Sequence, residues 1–188
     1  MVRNQPADTL DIYWIDVEGG AATLIVTPQK ESILMDAGWG RPDQRDALRI
    51  EAAMRDANIE RIDYFIASHF HTDHTGGVPA LADRVELSRL FDHGDSVEQH
   101  LGNSRQAFQA YLTVADVAHG RRRTVEPGDH LPLKGLEFTF VTSHGAIPER
   151  SSPSDLTTTA RTPTRSWRTR ARTAGASAIF SRLARSSS

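Results

Sequence analysis

The stretch around which this chain is organised is Ile66-Ala67-Ser68-His69-Phe70-His71-Thr72-Asp73-His74-Thr75-Gly76-Gly77. It begins in a short apolar run and places three imidazoles and one carboxylate within six residues. Nitrogen and oxygen ligands of this kind suit zinc, and side chains at alternate positions of a turning loop can converge on one ion. The alternative is a histidine-rich surface loop or capping turn. Four potential ligands in this order, followed by two glycines, favour a metal site.

This spacing resembles the metal-binding signature H-x-H-x-D-H of the metallo-β-lactamase fold hydrolases, and every position of the signature is filled. The resemblance implies that His69 and His71 hold one zinc ion, that Asp73 and His74 hold a second, and that the two ions share a water. It also implies an α/β fold of the αββα sandwich type. A full member uses a zinc-bound hydroxide as nucleophile, since the metal lowers the pKa of water from about 15.7 toward 7. Asp73 is then the catalytic carboxylate that orients the hydroxide.

Three residues outside the loop are further candidates. Asp36 stands in an Asp-Ala-Gly turn where the family carries a carboxylate that supports a ligand imidazole, although an Asp before a Gly turn is otherwise a turn former. His93 follows a predicted strand and is either a supporting or substrate-facing residue or a solvated turn histidine. The family also has a third histidine for the first zinc, and His144 occupies about that place. The alternative for His144 is again a turn histidine.

The composition predicts one soluble globular domain. The chain has 188 residues, of which 38% are hydrophobic and 24% are charged, and it has no cysteine. Disulfides and thiolate metal sites are therefore excluded. No apolar run approaches the roughly 20 residues of a membrane span, and residues 1–8 lack the apolar stretch of a secretory signal. We therefore expect a cytoplasmic protein with no membrane partner.

The hydrophobic pattern predicts strands that alternate with helices. The predicted strands span residues 10–17, 22–27, 31–38, 62–67 and 85–91, with a strand, turn and strand over 124–141. The predicted helices span residues 41–58, 77–82 and 104–118. We interpret Phe108, Tyr111, Leu112 and Ala115 as the packing face of the last helix. A strand, helix and strand imply a right-handed crossover. This crossover brings residues 69–74, here called the His loop, to the carboxyl end of the preceding strand. Residues 121–123 are a basic run, either a solvated turn or a site for an anionic substrate group.

The charge distribution divides the chain in two. Residues 1–149 carry 14 basic and 23 acidic side chains, whereas residues 150–188 carry eight Arg and a single carboxylate, Asp155. Ser, Arg, Thr and Ala make up most of the second part, which shows no sustained period of 2 or 3.6. We therefore predict a partial metallo-β-lactamase-like domain over residues 8–149 and a disordered tail over residues 150–188.

This tail bears on the completeness of the site. In the family, the second half of the fold supplies a bridging Asp and a final His, yet no His follows His144 and the later carboxylates are Glu149 and Asp155. We expect that only the N-terminal half of the fold is complete, and that a truncation or a change of reading frame has replaced the rest. The alternative is that the eight Arg, with Trp167 and Phe180, bind nucleic acid phosphates.

The function predicted from these features is that of a metallohydrolase with one or two zinc ions. Its substrate is a small molecule or a phosphodiester, and the bond that it cleaves is of the ester or phosphodiester type. The residues Asp16 to Leu24, placed before Leu34 to Gly38, resemble the group related to the hydrolase domain of DNA-uptake competence proteins. The alternatives are a catalytically inactive metal-binding fragment and a nucleic-acid-binding protein that acts through the Arg-rich tail.

Overall fold

The computed structural model describes residues 9–117, 120–145 and 168–174. The strands are β1 (Thr9–Ile15), β2 (Thr23–Val26), β3 (Ser32–Met35), β4 (Arg61–Ile62), β5 (Tyr64–Ile66), β6 (Glu86–Leu87), β7 (Leu90–Asp92), β8 (Arg122–Thr124) and β9 (Arg168–Ala174). The helices are α1 (Arg45–Ala57), α2 (Thr72–Thr75), α3 (Val78–Ala82) and α4 (Gly102–Val117). The α/β class predicted from the sequence is confirmed.

Seven of these strands form one mixed sheet, in the order β8-β7-β5-β3-β2-β1-β9. Strands β1, β2 and β3 are antiparallel neighbours, whereas β3, β5, β7 and β8 run parallel. Parallel strands end at the same edge of a sheet, which is where α/β folds bind ligands. Asp36 directly follows β3, the His loop follows β5, and His93 directly follows β7. The topology therefore brings the predicted site residues to one edge.

The sheet is packed on both faces. Strand residues such as Leu24, Leu34 and Phe65 join the buried apolar faces of α1 and α4 in one core cluster. The predicted packing face of α4 is confirmed at its large residues, since Phe108 and Tyr111 are fully buried. The opposite face carries a second cluster, which the segment after β8 covers. Its buried members are Ile33, Tyr64, Ile66, Phe91, Val125 and Leu131.

Several elements differ from the sequence prediction. The predicted strand 85–91 is divided into β6 and β7, and residues 125–141 form no strand beyond an isolated bridge between His130 and Thr139. Helix α1 begins at Arg45 rather than near residue 41, because Gln44 has a left-handed backbone with φ 54°. The predicted strand 62–67 is divided at Asp63, where β4 turns aside to pair with β6 in a separate two-stranded sheet. The Asp63 carboxylate accepts hydrogen bonds from the backbone N–H of Ser32 at 2.9 Å and from Nε of Arg61 at 2.8 Å. These bonds fix the interruption between the two strands.

The basic run at residues 121–123 is not the turn that the sequence suggested. Arg122 and Arg123 belong to strand β8, which pairs with β7. The Arg122 guanidinium lies against the fully buried carboxylate of Asp92, with Nε 2.7 Å from Oδ2. Tyr111 donates a hydrogen bond to the same oxygen at 2.7 Å. A buried carboxylate is costly without such partners. The pairing with Asp92 therefore explains why Arg122 lies in a strand and not in a solvated turn.

Strand β9 is the described part of the predicted tail. It pairs in parallel with β1, from Thr9 opposite Arg168 to Ile15 opposite Ala174. These seven residues therefore have regular structure, which differs from the disorder predicted for the whole tail, because the edge of β1 offers backbone partners. The rest of residues 150–188 lies outside the described residues, and the proposed domain division stays a prediction. Within the described part of the chain, no helix is long and apolar enough to span a membrane.

Candidate metal centre

The His loop begins directly after β5 and ends in the short helix α2. The backbone N–H groups of His74 and Thr75 donate to the carbonyl oxygen of His71, at 3.0 and 2.9 Å. This single turn places His71, Asp73 and His74 on a rigid backbone although the segment is short. These backbone hydrogen bonds hold the loop without any contribution from its side chains.

Neighbouring turns also clamp the loop through close backbone contacts. The N–H of Ala37 donates to the carbonyl oxygen of His74 at 2.7 Å. A Cβ added to Gly20 would lie 2.2 Å from the carbonyl oxygen of Asp73, and one added to Gly77 would lie 2.1 Å from that of Ala37. Only glycine allows these backbones to approach so closely. No pattern in the sequence indicates this contact between Gly20 and the loop.

Asp36 lies behind His74 and is 2% exposed. Its Oδ2 is 2.8 Å from Nδ1 of His74 and accepts a hydrogen bond from the Ser68 hydroxyl at 2.6 Å. Its Oδ1 accepts the backbone N–H of Ser68 at 2.8 Å. The Asp36 carboxylate raises the pKa of His74 because it accepts the ring N–H. This contact fixes the His74 tautomer in which Nε2 carries the lone pair.

The His69 ring lies close to both other imidazoles of the loop. Its ring centre is 4.5 Å from that of His71 and 3.9 Å from that of His74. Burial, and after it the neighbouring rings of His74 and His71, lower the pKa of His69. The Ser68 oxygen lies 3.1 Å from its Nδ1. Since the Ser68 hydroxyl hydrogen is directed to Asp36, this oxygen accepts from His69 and leaves Nε2 as the free ligand atom.

His71 has a partner that no spacing in the sequence indicates. Its Nε2 makes a hydrogen bond to Oε2 of Glu98, from the segment between β7 and α4. This hydrogen bond lowers the pKa of Glu98. Both side chains are partly exposed, at 45% for His71 and 37% for Glu98. The two residues are far apart in sequence, and no spacing signal links them.

The chemistry of these donors fits a metal ion. Each loop imidazole has one nitrogen paired with an oxygen, and the Asp73 carboxylate lies 3.7 Å from Nε2 of His74. Their arrangement is tighter than coordination requires. A tetrahedral zinc with Zn–N distances of about 2.0–2.1 Å keeps two ligated ring centres about 5 Å apart. In the described part of the chain no three such side chains are already arranged around one point. The rings of His69 and His71, which are assigned to one zinc, are 4.5 Å apart and would have to separate by roughly 0.5 Å to bind it.

A cavity of about 560 Å³ adjoins the loop at Ser68. His93 and His144 both line it, with ring centres 5.7 Å apart. Nδ1 of His93 is buried and has no hydrogen-bond partner among the residues that the structure describes. His144 lies in a turn and has a left-handed backbone with φ 48°. The structure thus brings both predicted histidines to the cavity beside the loop.

Comparison with known proteins identifies the family. Residues 15–147 match the family model of the metallo-beta-lactamase superfamily. This match includes the complete His loop, Asp36, His93 and His144. The superfamily predicted from the loop is therefore confirmed. The narrower resemblance to competence proteins stays a prediction.

The chain is also similar to fungal proteins. One from Aspergillus terreus, named atrochrysone carboxyl ACP thioesterase, is 34% identical over 88 residues, or 46% of this chain and 25% of that protein. A thioesterase of the same name from Cryptosporiopsis is 39% identical over 102 residues, or 53% of this chain and 31% of that protein. A solved metallo-β-lactamase from Cronobacter sakazakii is 20% identical with a TM-score of 0.43, over 66% of this chain and 48% of that one. The chain thus spans only about a quarter to a third of these fungal relatives.

Proposed function

The chain belongs to the metallo-beta-lactamase superfamily, and from this membership we propose that it is a zinc-dependent hydrolase. One observation carries the proposal: each of the three loop imidazoles has one nitrogen paired with an oxygen, which leaves the other nitrogen as a ligand. The residues that would hold zinc are His69, His71, Asp73, His74 and His144. A turn or a structural ion pair would not require three imidazoles that are oriented in this way.

Bound zinc supplies a Lewis acid and makes water nucleophilic near neutral pH. The protein's part is to orient the groups around it. Asp36 and Ser68 prevent rotation of the His74 ring, since both contact its Nδ1. Asp73 is placed beside His74 to accept a hydrogen bond from the attacking water. His93 lines the cavity, and its imidazole would contact the substrate there.

We propose an acyl ester or thioester as the substrate class. The fungal relatives whose names state an activity are thioesterases. The described lining of the cavity supports an uncharged substrate, because it is formed by Ser68, His93, Val97, Thr142, Ser143, His144 and Gly145. No Lys or Arg is among these lining residues, so a phosphodiester would have zinc but no side-chain cation of this lining as its partner. A phosphodiester substrate is therefore the second choice.

The test combines metal analysis with hydrolysis assays. The purified chain, loaded with zinc, is compared with the double variant His71→Ala and Asp73→Ala. The matched control is His130→Ala with Asp83→Ala, which removes the same two residue types from exposed positions. We expect zinc to be lost in the first variant and retained in the control. A thioester such as an S-acyl N-acetylcysteamine should be hydrolysed faster than bis-p-nitrophenyl phosphate, and only by chains that hold zinc.

Other outcomes identify the alternatives. Equal zinc content in the wild type and the loop variant would contradict the proposed centre. Zinc binding without turnover of any ester, thioester or phosphodiester would favour the inactive metal-binding protein. A salt-dependent shift of DNA that is lost when residues 150–188 are deleted would favour the nucleic-acid binder.

A further inference from the structure

We propose that Glu98 is a positioning residue of the metal centre, which holds His71 in the tautomer and orientation that bind zinc. The inference rests on the proposed function, because it assumes that the loop binds a metal. Nothing in the sequence pattern links Glu98 to the loop. The structure alone brings the two together.

The contact between Glu98 and His71 fixes the state of the ring. A carboxylate can only accept hydrogen bonds, so Nε2 of His71 must carry the hydrogen that it shares with Oε2 of Glu98. In a neutral imidazole, Nδ1 then carries the lone pair. Glu98 thus selects Nδ1 of His71 as the metal-binding atom.

The contact between Asp36 and His74 is of the same kind, but the two ring nitrogens exchange their roles. There the carboxylate holds Nδ1 and leaves Nε2 for the metal. Carboxylates of this kind raise the basicity of a ligand imidazole and prevent its rotation, and their loss commonly weakens metal affinity 10–100-fold. Asp36 comes from the turn after β3, whereas Glu98 comes from the segment between β7 and α4. The two carboxylates therefore hold His74 and His71 from separate elements.

Glu98 is itself held in place by the start of α4. The backbone N–H of Leu101 donates to the Glu98 carbonyl oxygen at 2.9 Å, and the N–H of Glu98 donates to Oγ of Ser96 at 3.2 Å. Oγ of Ser104, in the first turn of α4, is 3.5 Å from Oε2 of Glu98. The neighbouring Val97 lines the cavity beside the loop. Glu98 is therefore adjacent in sequence to a residue of the cavity lining.

The experiment measures zinc affinity by competition with a chromophoric chelator for the wild type, Glu98→Ala and Glu98→Gln. Glu86→Ala is the control, because it removes an exposed acidic side chain from β6, in the separate two-stranded sheet. We expect a loss of about 10–100-fold for Glu98→Ala and a smaller loss for Glu98→Gln, whose amide oxygen still accepts from His71. Glu86→Ala should bind as the wild type does. Circular dichroism verifies that each variant is folded.

Two further readouts separate positioning from other roles. The absorption spectrum of the cobalt-substituted protein should be the same in wild type and Glu98→Gln, since a positioning residue does not change the coordination number. In metal-free protein, the His71 Nε2–H resonance should be visible in a long-range ¹H–¹⁵N spectrum of the wild type and lost in Glu98→Ala.

The results also separate this inference from the proposed function. A changed cobalt coordination would overturn the inference, since Glu98 would then be a ligand itself. An unchanged or increased zinc affinity in Glu98→Ala would overturn it as well, and an increase would mean that Glu98 competes with the metal for His71. If the expected zinc and cobalt results appear without hydrolysis of any substrate, the proposed activity fails and the role of Glu98 stands. If the wild type binds no zinc, both fail.

Discussion

Asp36 combines a backbone role with a role in the site. Its φ of 60° is in the left-handed region, which Asp and Asn tolerate better than other non-glycine residues. The same residue accepts hydrogen bonds from Ser68 and His74. A substitution can therefore separate the two roles if the replacement keeps the turn and loses the charge.

Asp36→Asn is that substitution. We expect it to preserve the turn but to weaken zinc binding about 10–100-fold, because an amide is a poorer acceptor for the His74 ring N–H. Asp36→Ala should in addition lower the free energy of unfolding by about 1–2 kcal/mol, through strain in the left-handed backbone. Chelator competition measures the first effect and urea unfolding the second. Asp43→Asn, in an exposed loop, is the control, and equal zinc affinity in Asp36→Asn and the control would contradict the role of Asp36.

The second prediction at the scale of single residues concerns Gly20, whose backbone lies against the His loop. In Gly20→Ala the new Cβ would meet the carbonyl oxygen of Asp73 at 2.2 Å, so the His loop has to shift. We expect a loss of about 1–3 kcal/mol in unfolding free energy, as for other overpacked sites, together with weaker zinc binding. Gly102→Ala is the matched control, because nothing lies within 4 Å of its added Cβ. Wild-type zinc affinity in Gly20→Ala would show that this clamp does not position the loop.

At the scale of elements, the sequence predicted what local patterns determine. The alternation of residues 10–17 and the apolar run before Ser68 predicted β1 and β5, and the His spacing predicted the loop. The chain order then placed Asp36, the loop and His93 after strands that turned out to be neighbours. The contact of Glu98 with His71 was not predictable, because it depends on how the segment before α4 folds back. The clamp by Gly20 depends likewise on a tertiary contact that leaves no local pattern.

Strand β8 provides the prediction at this scale. Its Arg122 partners the buried Asp92, so Arg122→Ala leaves a buried carboxylate without its cation. We expect a loss of about 3–5 kcal/mol in unfolding free energy. Arg123→Ala is the matched control on the same strand, since the Arg123 side chain is 60% exposed and its ion pair with Asp129 is a surface pair worth about 0–1 kcal/mol. Urea unfolding of both variants measures the difference. Similar stability in the two would mean that Tyr111 and the backbone N–H of Gly94 support the Asp92 carboxylate sufficiently without Arg122.

At the scale of the whole molecule, the sheet edge explains why distant residues form one site. The turns after β3, β5 and β7 meet there because these strands are parallel neighbours. Glu98, from the segment between β7 and α4, also contacts the loop, and its neighbour Val97 lines the adjoining cavity. The groups around the loop belong to different elements, so metal binding should stabilise the described fold as a unit rather than the loop alone.

Zinc should therefore raise the thermal stability of the protein, and it should do so mainly through the first ion. The predicted first site has three imidazoles, His69, His71 and His144, whereas the second has only Asp73 and His74 from the described residues. At free zinc of 100 Kd, binding adds about 2.7 kcal/mol to the unfolding free energy, which raises Tm by roughly 5–10 °C for a domain of this size. Differential scanning calorimetry with metal analysis should show most of this rise at one zinc per chain.

The same titration, followed by thioester hydrolysis, tests whether the second ion matters for activity. Two-metal catalysis needs both ions at a fixed separation, so turnover should stay low at one zinc and increase as the second binds. The double variant His71→Ala and Asp73→Ala should show neither the rise in Tm nor turnover, and magnesium should not replace zinc because imidazole ligands favour zinc. Two zincs bound with equal affinity, together with full turnover at the lowest free zinc, would contradict this order. That result would mean that residues outside the described part of the chain complete the second site.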